Sequence, residues 1–423
     1  KLPLAITKTM DRVNDSLMAF FTKGIWFEKF NFRYFGQVDG HNIKDLVSFM
    51  KLIKDIQGPV LLHINTQKGK GFKPAEFDPA TFHGVGSFNV ETGKPLGSKN
   101  GKSYTSLWSD SFERVVASDP KVVGISAAML ANTGLLEIHK KYPDRIFDVG
   151  IAEGHAVTFA GGMSTQGIKP FVVVYSTFLQ RAFDHIVHDI CRQELPVKFI
   201  LDRGGFVGAD GATHHGILDL TYIRMIPNMT IMVPKNGVEM QAMIKLAHQY
   251  NDGPIAMRFP RGSTDDYLDL DSEALPEIPF GKGELIQRGT DILILAVGTM
   301  VAKALKVAEA LLAGGISVGI INARFVKPLD EELIISAVES VKMVATMEEN
   351  VRKGGFGSGI LELLAEREIL KPVVQFGIPD KFIKFATQAE QIAEAGLDEE
   401  TMTDKLRDSW NRLSGIKKNQ VAV

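Results

Sequence analysis

Short, near-continuous apolar runs alternate with amphipathic segments along most of this 423-residue chain. Such runs are typical of parallel strands buried on both faces, with helices packed above and below the sheet. In the middle of the chain they read KVVGIS, RIFDVGI, KPFVVVY, PVKFILD, TIMVP and IAMRFP. Because helical patterns such as VEMQAMIKLAHQY lie between them, the sequence predicts an α/β fold with mostly parallel sheets.

Two irregular segments interrupt this alternation. The first, KGKGFKPAEFDPATFHGVGSFNVETGKPLGSKNGKS, is rich in glycine, proline and charge, and the second, GSTDDYLDLDSEALPEIP, is acidic and contains proline. Segments of this kind are typical of loops and linkers between domains. We therefore predict three α/β domains, at residues 1–102, 103–278 and 279–423. The first opens in the middle of an amphipathic pattern, so we expect the chain to begin partway through a domain.

Composition excludes several classes of protein. The formal net charge of −2 provides no basic surface for nucleic acid or anionic membrane. No apolar run approaches the roughly 18 residues that a membrane span needs, and no signal peptide is apparent. The single cysteine, Cys191, excludes an intramolecular disulfide and is typical of a reducing compartment. We expect a cytoplasmic protein that binds neither nucleic acid nor membrane.

Polar and aromatic side chains follow several predicted strands of the middle domain at the point where each strand ends. Ligands of open α/β sheets bind beyond the carboxyl ends of the strands, and parallel strands bring these ends to one edge. We therefore expect a binding site at that edge. Its candidate residues are Glu153, Tyr175, Phe178, Arg181, Arg203, Asp210, His214 and Arg261.

The residue types indicate the chemistry of the ligand. Arginine guanidinium groups such as Arg203 bind phosphate or carboxylate, and His214 can transfer protons near neutral pH. Structural roles remain open for each residue taken alone. Glu153 can stabilise the start of its helix, Asp210 can form a turn with the following glycine, and Phe178 can belong to the core.

Other familiar sites are missing from the sequence or weak in it. No HExxH motif, spaced Cys/His cluster or GxxxxGK[ST] loop is present, and the segment VGTMVAKALKVAEALLAGG lacks the GxGxxG order. The run GGFGSG at 354–359 can bind an anion or simply begin a helix, and EEN at 348–350 can be a structural cap.

Several motifs resemble one enzyme family. The segments IAEGHAVTFAGG, VVYSTFLQRAFDHIVHD, LDRGGFVGADGATHHG, MRFPRG, ARFVKPLD and MEENVRKGGFGSG resemble the 1-deoxy-D-xylulose-5-phosphate synthase family of the transketolase superfamily. FGQVDGHN, KGKGFKPAE and DPATFHG match as well, so the resemblance covers essentially the whole chain in order.

The resemblance implies a fold, a reaction and cofactors. The three domains would be the remainder of a diphosphate-binding domain with a linker, a pyrimidine-binding domain and a transketolase C-terminal-like domain. The reaction would condense pyruvate with D-glyceraldehyde 3-phosphate, releasing carbon dioxide, to give 1-deoxy-D-xylulose 5-phosphate, the first step of non-mevalonate isoprenoid biosynthesis. The implied cofactors are thiamine diphosphate and Mg²⁺, and the implied assembly is a homodimer.

The resemblance also assigns roles to individual residues. Glu153 would hydrogen-bond the pyrimidine ring nitrogen N1′ of thiamine diphosphate, and His214 and His83 would face substrate, with Arg181 beside the active site. The residues implied to contact the cofactor are Glu153, Phe178, Phe72 and Ile151. Those implied to hold the phosphate of the aldehyde are Tyr175, Arg203, Asp210 and Arg261.

Two departures from the family pattern qualify this assignment. Gly154 follows the acid where the family has glutamine, and no GDG motif for diphosphate and magnesium occurs anywhere in the chain. We therefore expect the metal and diphosphate ligands to lie outside this chain, and the chain alone to be inactive. The alternatives are the C-terminal chain of a split transketolase, a pyruvate dehydrogenase beta-type subunit, and a non-catalytic paralogue.

Overall fold

The protein was analysed as a computed structural model, which describes residues 24–94, 96, 101–269 and 275–415. The chain divides into two compact units, residues 1–98 and 99–423. The first unit contains a parallel pair of strands, in which Arg33 aligns with Val60. Its strands are β1 (Arg33–Asp39) and β2 (Val60–Asn65), and its helices are α1 (Ile25–Lys29), α2 (Ile43–Ile53) and α3 (Lys73–Phe77).

Local sequence explains the helices of the first unit. The Asn42 side chain accepts a hydrogen bond from the backbone N–H of Asp45 and so caps α2. The predicted long loop contains α3 and a one-turn helix, Thr81–Gly84. Pro74 stands in the first turn of α3, where its missing N–H costs no hydrogen bond.

The second unit contains a seven-stranded sheet in the order β14-β8-β9-β7-β6-β4-β5. All neighbouring pairs are parallel except β14 with β8. The strands β6, β7 and β9, which carry most of the candidate site, are therefore adjacent. The strands are β4 (Val122–Ser126), β5 (Ile146–Asp148), β6 (Lys169–Tyr175), β7 (Lys198–Gly204), β8 (Thr230–Met232), β9 (Ile255–Pro260) and β14 (Phe325–Lys327).

Helices cover both faces of this sheet. The first of them, capped by Ser103, buries Leu107, Trp108 and Phe112 in the core. The helices are α4 (Tyr104–Ser118), α5 (Leu136–Lys141), α6 (Glu153–Ser164), α7 (Phe183–His185), α8 (Asp219–Arg224) and α9 (Gly237–Gln249). A short antiparallel pair, β3 (Lys102–Ser103) with β10 (Ser263–Thr264), lies beside α4.

A five-stranded sheet, in the order β11-β13-β12-β15-β16, follows in the second unit. Its strands are β11 (Glu284–Gln287), β12 (Ile292–Ala296), β13 (Val318–Asn322), β15 (Met343–Val351) and β16 (Val373–Ile378). Its helices are α10 (Met300–Leu312), α11 (Glu331–Glu339), α12 (Phe356–Glu366), α13 (Gln388–Glu394) and α14 (Glu399–Leu413). The prediction of an α/β fold with mostly parallel sheets is confirmed.

One strand crosses between the predicted domains. β14 belongs in sequence to the predicted domain 279–423, yet Phe325 pairs with Met232 in the seven-stranded sheet. The periodicity of a short apolar run does not reveal which sheet it joins, because pairing depends on distant residues. In the part of the chain that the structure describes, no helix has the length and apolar character needed to cross a membrane.

Candidate active site

Glu153 begins helix α6, just beyond the end of β5. Its side chain is 4% exposed, and its Oε1 atom accepts a hydrogen bond of 2.7 Å from Nη1 of Arg181. Arg181 is itself largely exposed and comes from the helical turn that follows β6. Within the described part of the chain, this buried carboxylate is therefore paired with one charged side chain, which is itself largely exposed.

The guanidinium of Arg181 also lies over an aromatic ring. Its Cζ atom is 5.2 Å from the centre of the Phe178 ring, a distance typical of a cation–π contact. Phe178 stacks on Tyr175 at 5.8 Å between ring centres and receives the edge of His214 at 5.5 Å. Four of the predicted site residues thus form one continuous group with Glu153.

A second arginine packs on the other end of this group. The Cζ atom of Arg203 lies 4.1 Å from the centre of the Tyr175 ring. Arg203 has a positive φ of 63°, an uncommon conformation for a residue with a side chain, at the end of β7. Burial raises the pKa of the Tyr175 phenol well above its ordinary value, so Tyr175 stays a neutral hydrogen-bond donor.

The residue before Arg203 in the chain, Asp202, is a buried acid to which the sequence analysis assigned no role. Asp202 is fully buried and accepts a hydrogen bond of 2.7 Å from the Thr105 hydroxyl. Burial raises its pKa to about 6, against the opposing effect of the Arg203 charge. Its position at a strand end was the available signal, but its hydrogen bond to α4 could not be read from the sequence.

The loop at residues 205–216, called here the Gly208 loop, carries Asp210 and His214. Gly205 and Gly216 close its base through two backbone hydrogen bonds of 2.7 and 2.9 Å. Nη1 of Arg261, which follows β9, donates to Oδ2 of Asp210 at 2.9 Å and to the Val207 carbonyl. The two predicted phosphate-binding segments are therefore joined directly.

The other three predicted residues are an exposed side chain near Glu153 and two residues of the first unit. Ile151 precedes Glu153 by two positions and is 79% exposed. Phe72 and His83 belong to the first unit. There Phe72 packs against Phe82 and Phe88 at 5.5 and 5.7 Å between ring centres, and His83 is exposed in a one-turn helix.

Within the segment EEN, whose role the sequence left open, Glu348 is a helix cap. Both carboxylate oxygens of Glu348 accept hydrogen bonds of 2.8 Å from the backbone N–H groups of Phe356 and Gly357 at the start of α12. A carboxylate of the chain itself thus occupies the helix start formed by GGFGSG. Burial raises the pKa of Glu348 to about 7. Among the described residues, no three His, Cys, Asp or Glu side chains converge as a metal site.

Gly154 leaves room for a histidine ring. A Cβ atom at this position would lie 2.7 Å from Cε1 of His185, closer than real contacts allow. The Nδ1 atom of His185 is buried and has no hydrogen-bond partner among the described residues. His185 therefore fills the space beside the residue that follows Glu153, and this pairing explains how the chain accommodates its departure from the family pattern.

Replacing Gly154 by alanine is expected to lower the free energy of unfolding by about 1–2 kcal/mol, because the His185 ring must shift. Gly162→Ala in the same helix is the matched control, since no described atom lies within 4 Å of its Cβ position. That control is expected to gain up to about 1 kcal/mol. Urea denaturation measures both. When His185 is already replaced by alanine, Gly154→Ala should cost no further stability, because the ring that it would meet is gone. Equal effects of Gly154→Ala and Gly162→Ala in the otherwise unchanged protein would contradict the contact with His185.

Comparisons with known proteins give matches along most of the chain. Residues 1–66 match the family model described as 1-deoxy-D-xylulose-5-phosphate synthase, residues 100–265 the transketolase pyrimidine binding domain, and residues 281–402 the transketolase C-terminal domain. Among solved structures, the beta tetramer of a split-gene transketolase, titled inactive, is 30% identical with a TM-score of 0.65. The chain covers 99% of it with 74% of its own length.

Two curated relatives are named 1-deoxy-D-xylulose-5-phosphate synthase. That of Syntrophotalea carbinolica is 45% identical over 97% of this chain, and that of Halothermothrix orenii is 48% identical over 90%. This chain spans 64% and 60% of their lengths.

The two sheets and these matches define a protein of the transketolase class. Within that class, the chain belongs to the 1-deoxy-D-xylulose-5-phosphate synthase family. The alternatives of a split transketolase chain or a pyruvate dehydrogenase beta-type subunit are not favoured, because relatives of this one family align with nearly the whole chain.

Proposed function

We propose that the protein containing this chain condenses pyruvate with D-glyceraldehyde 3-phosphate, releasing carbon dioxide, to give 1-deoxy-D-xylulose 5-phosphate. The observation that carries the proposal is the continuous group that links buried Glu153 to Tyr175, Phe178 and Arg203 at one sheet edge. It combines an acid shielded from water with aromatic rings and cations, as a flat heterocycle and a phosphorylated substrate require.

The residues of this group suit an aminopyrimidine. Arg181, a flat cation, donates a hydrogen bond to Glu153 and lies over Phe178. An aminopyrimidine ring that can carry a proton would make the same two contacts, a hydrogen bond to Glu153 and stacking on Phe178, after the exposed Arg181 side chain moves aside. Thiamine diphosphate, when bound, supplies the nucleophilic carbon and the electron sink for decarboxylation. Glu153 would hold the proton at N1′, and Phe178, Phe72 and Ile151 would contact the cofactor.

The phosphate of the aldehyde would bind at the other end of the group. Arg203 and Arg261 supply guanidinium forks, Tyr175 a phenol that stays protonated, and Asp210 orients Arg261 through their hydrogen bond. His214 would exchange protons with substrate, since its ring meets Phe178 and its Nδ1 lies 2.9 Å from the Thr213 hydroxyl. We assign His83 the same kind of role.

The remaining expectations concern metal, assembly and compartment. We propose that Mg²⁺ accompanies the diphosphate, and no residue of this chain is proposed as its ligand. We propose a homodimer because of the family resemblance, and a cytoplasmic location because the sequence has a single cysteine, Cys191. The domain boundaries 1–102, 103–278 and 279–423 are retained as part of this proposal.

The test is product formation by a full-length protein that contains this sequence. With thiamine diphosphate and Mg²⁺, we expect carbon dioxide release from pyruvate to match the consumption of D-glyceraldehyde 3-phosphate, with one five-carbon ketose phosphate formed per turnover. Isotopically labelled pyruvate and mass spectrometry measure both. Transfer of a two-carbon unit between sugar phosphates, without carbon dioxide release, would instead indicate a transketolase.

A further inference from the structure

Two glutamines of helix α13 hold the Gly208 loop. Gln391 is fully buried, and its Oε1 atom accepts a hydrogen bond of 2.9 Å from the Gly208 N–H. Its Nε2 group donates to the carbonyls of Gly208 and Lys384 at 2.9 and 3.0 Å. One side chain therefore pairs with both backbone groups of Gly208, as a neighbouring strand would.

The second glutamine joins the loop to the strand end that carries Arg261. Nε2 of Gln388 donates hydrogen bonds to the carbonyls of Phe206 at 2.7 Å and of Arg261 at 2.9 Å. Arg261 in turn donates to Val207 and Asp210. The two glutamines, the Gly208 loop and Arg261 thus form one connected network.

The start of α13 is itself fixed. Thr387 and Glu390 form a capping box, in which each side chain bonds the backbone of the other residue. Gln388 and Gln391 are three positions apart, so both side chains lie on the same face of the helix. The helix therefore presents two amides at a defined spacing, and Gly208, with a φ of 75°, adopts the conformation that meets them.

We propose that Gln388 and Gln391 are positioning residues that hold Arg261 and Asp210 in the arrangement that binds the phosphate of the acceptor aldehyde. This inference rests on the proposed function. The two amides contribute no binding contact of their own. Their loss leaves the Gly208 N–H without its partner, takes one donor from each of the carbonyls of Gly208, Phe206 and Arg261, and lets the loop move relative to the end of β9. Loss of the two amides therefore weakens the binding of a phosphorylated acceptor and leaves the reaction with pyruvate unchanged.

The test uses Gln391→Met and Gln388→Met in the full-length enzyme. Each change keeps the length of the side chain and removes its hydrogen bonds. We expect the KM for D-glyceraldehyde 3-phosphate to rise about tenfold, the equivalent of roughly one buried hydrogen bond. The KM for pyruvate and kcat should stay within about twofold, and the KM for unphosphorylated D-glyceraldehyde should not rise. The matched control is Gln166→Met, at an exposed glutamine that bonds only to a neighbouring side chain.

Thermal unfolding shows whether each variant is folded. If Gln391→Met does not fold, Gln388→Met, at a partly exposed position, provides an independent variant. Equal losses with both aldehydes, or no loss at all, would overturn the positioning role. Arg261→Ala separates the two proposals. If Arg261→Ala raises the KM for the phosphorylated aldehyde alone and the glutamine variants do not, only the positioning role of the glutamines fails.

Discussion

Replacing Glu153 by glutamine is expected to reduce kcat of the full-length enzyme by about 10²–10⁴-fold, the range typical of a lost proton-transfer group. Glutamine has the same shape and can still accept the hydrogen bond from Arg181. However, it cannot share a proton with the ring nitrogen of the cofactor. The fold should persist, because the amide is neutral at a position that is 4% exposed.

Steady-state kinetics at saturating cofactor measure this effect, with circular dichroism as the check on folding. Glu137→Gln is the matched control, since Glu137 is exposed and pairs with Lys140 on the same helix. That variant should retain activity within about twofold, because an exposed ion pair of this kind contributes little. Near-normal turnover of Glu153→Gln would remove Glu153 from the proposed mechanism.

Replacing Arg261 by alanine is expected to raise the KM for D-glyceraldehyde 3-phosphate by roughly 10- to 100-fold. Charge-assisted hydrogen bonds contribute about 1.5–3 kcal/mol, and the phosphate would lose such bonds. The KM for pyruvate should change little, because pyruvate carries no phosphate. Loss of the Asp210 and Val207 contacts adds to the effect by freeing the Gly208 loop.

The matched series for this prediction contains Arg261→Lys and Arg288→Ala. Lysine keeps the charge but not the planar fork, so its KM should fall between those of alanine and the unchanged enzyme. Arg288 is an exposed arginine that follows β11, and its loss should have no effect on either substrate. A parallel rise in both Michaelis constants for Arg261→Ala would indicate general disorder of the site and would argue against phosphate binding.

The sequence predicted the fold class and the position of the candidate site from the properties of parallel strands. Strands covered on both faces must be apolar along their whole length, so β6, β7 and β9 are recognisable in the sequence as apolar runs. The carboxyl ends of parallel strands lie at one edge of the sheet, so the sequence predicts Tyr175, Arg203 and Arg261 at that edge. The structure brings these three together with Glu153, Phe178 and His214.

Contacts between distant segments were not predictable in this way. Nothing local indicates that Asp202 bonds to Thr105, or that the space beside Gly154 belongs to His185. In the sequence, Gln388 and Gln391 read as ordinary polar residues of a surface helix. Their partners in the Gly208 loop and at the end of β9 lie more than a hundred residues away along the chain.

By itself, therefore, the sequence determined the α/β class, the strands and the set of residues at their ends, because periodicity and chain direction are local properties. The tertiary structure decided which sheet β14 joins, which acids are capping groups and which glutamines hold the Gly208 loop. Those outcomes depend on hydrogen bonds to backbone groups of distant residues. Since a backbone N–H or carbonyl is the same in every residue, no letter of the sequence identifies such a partner.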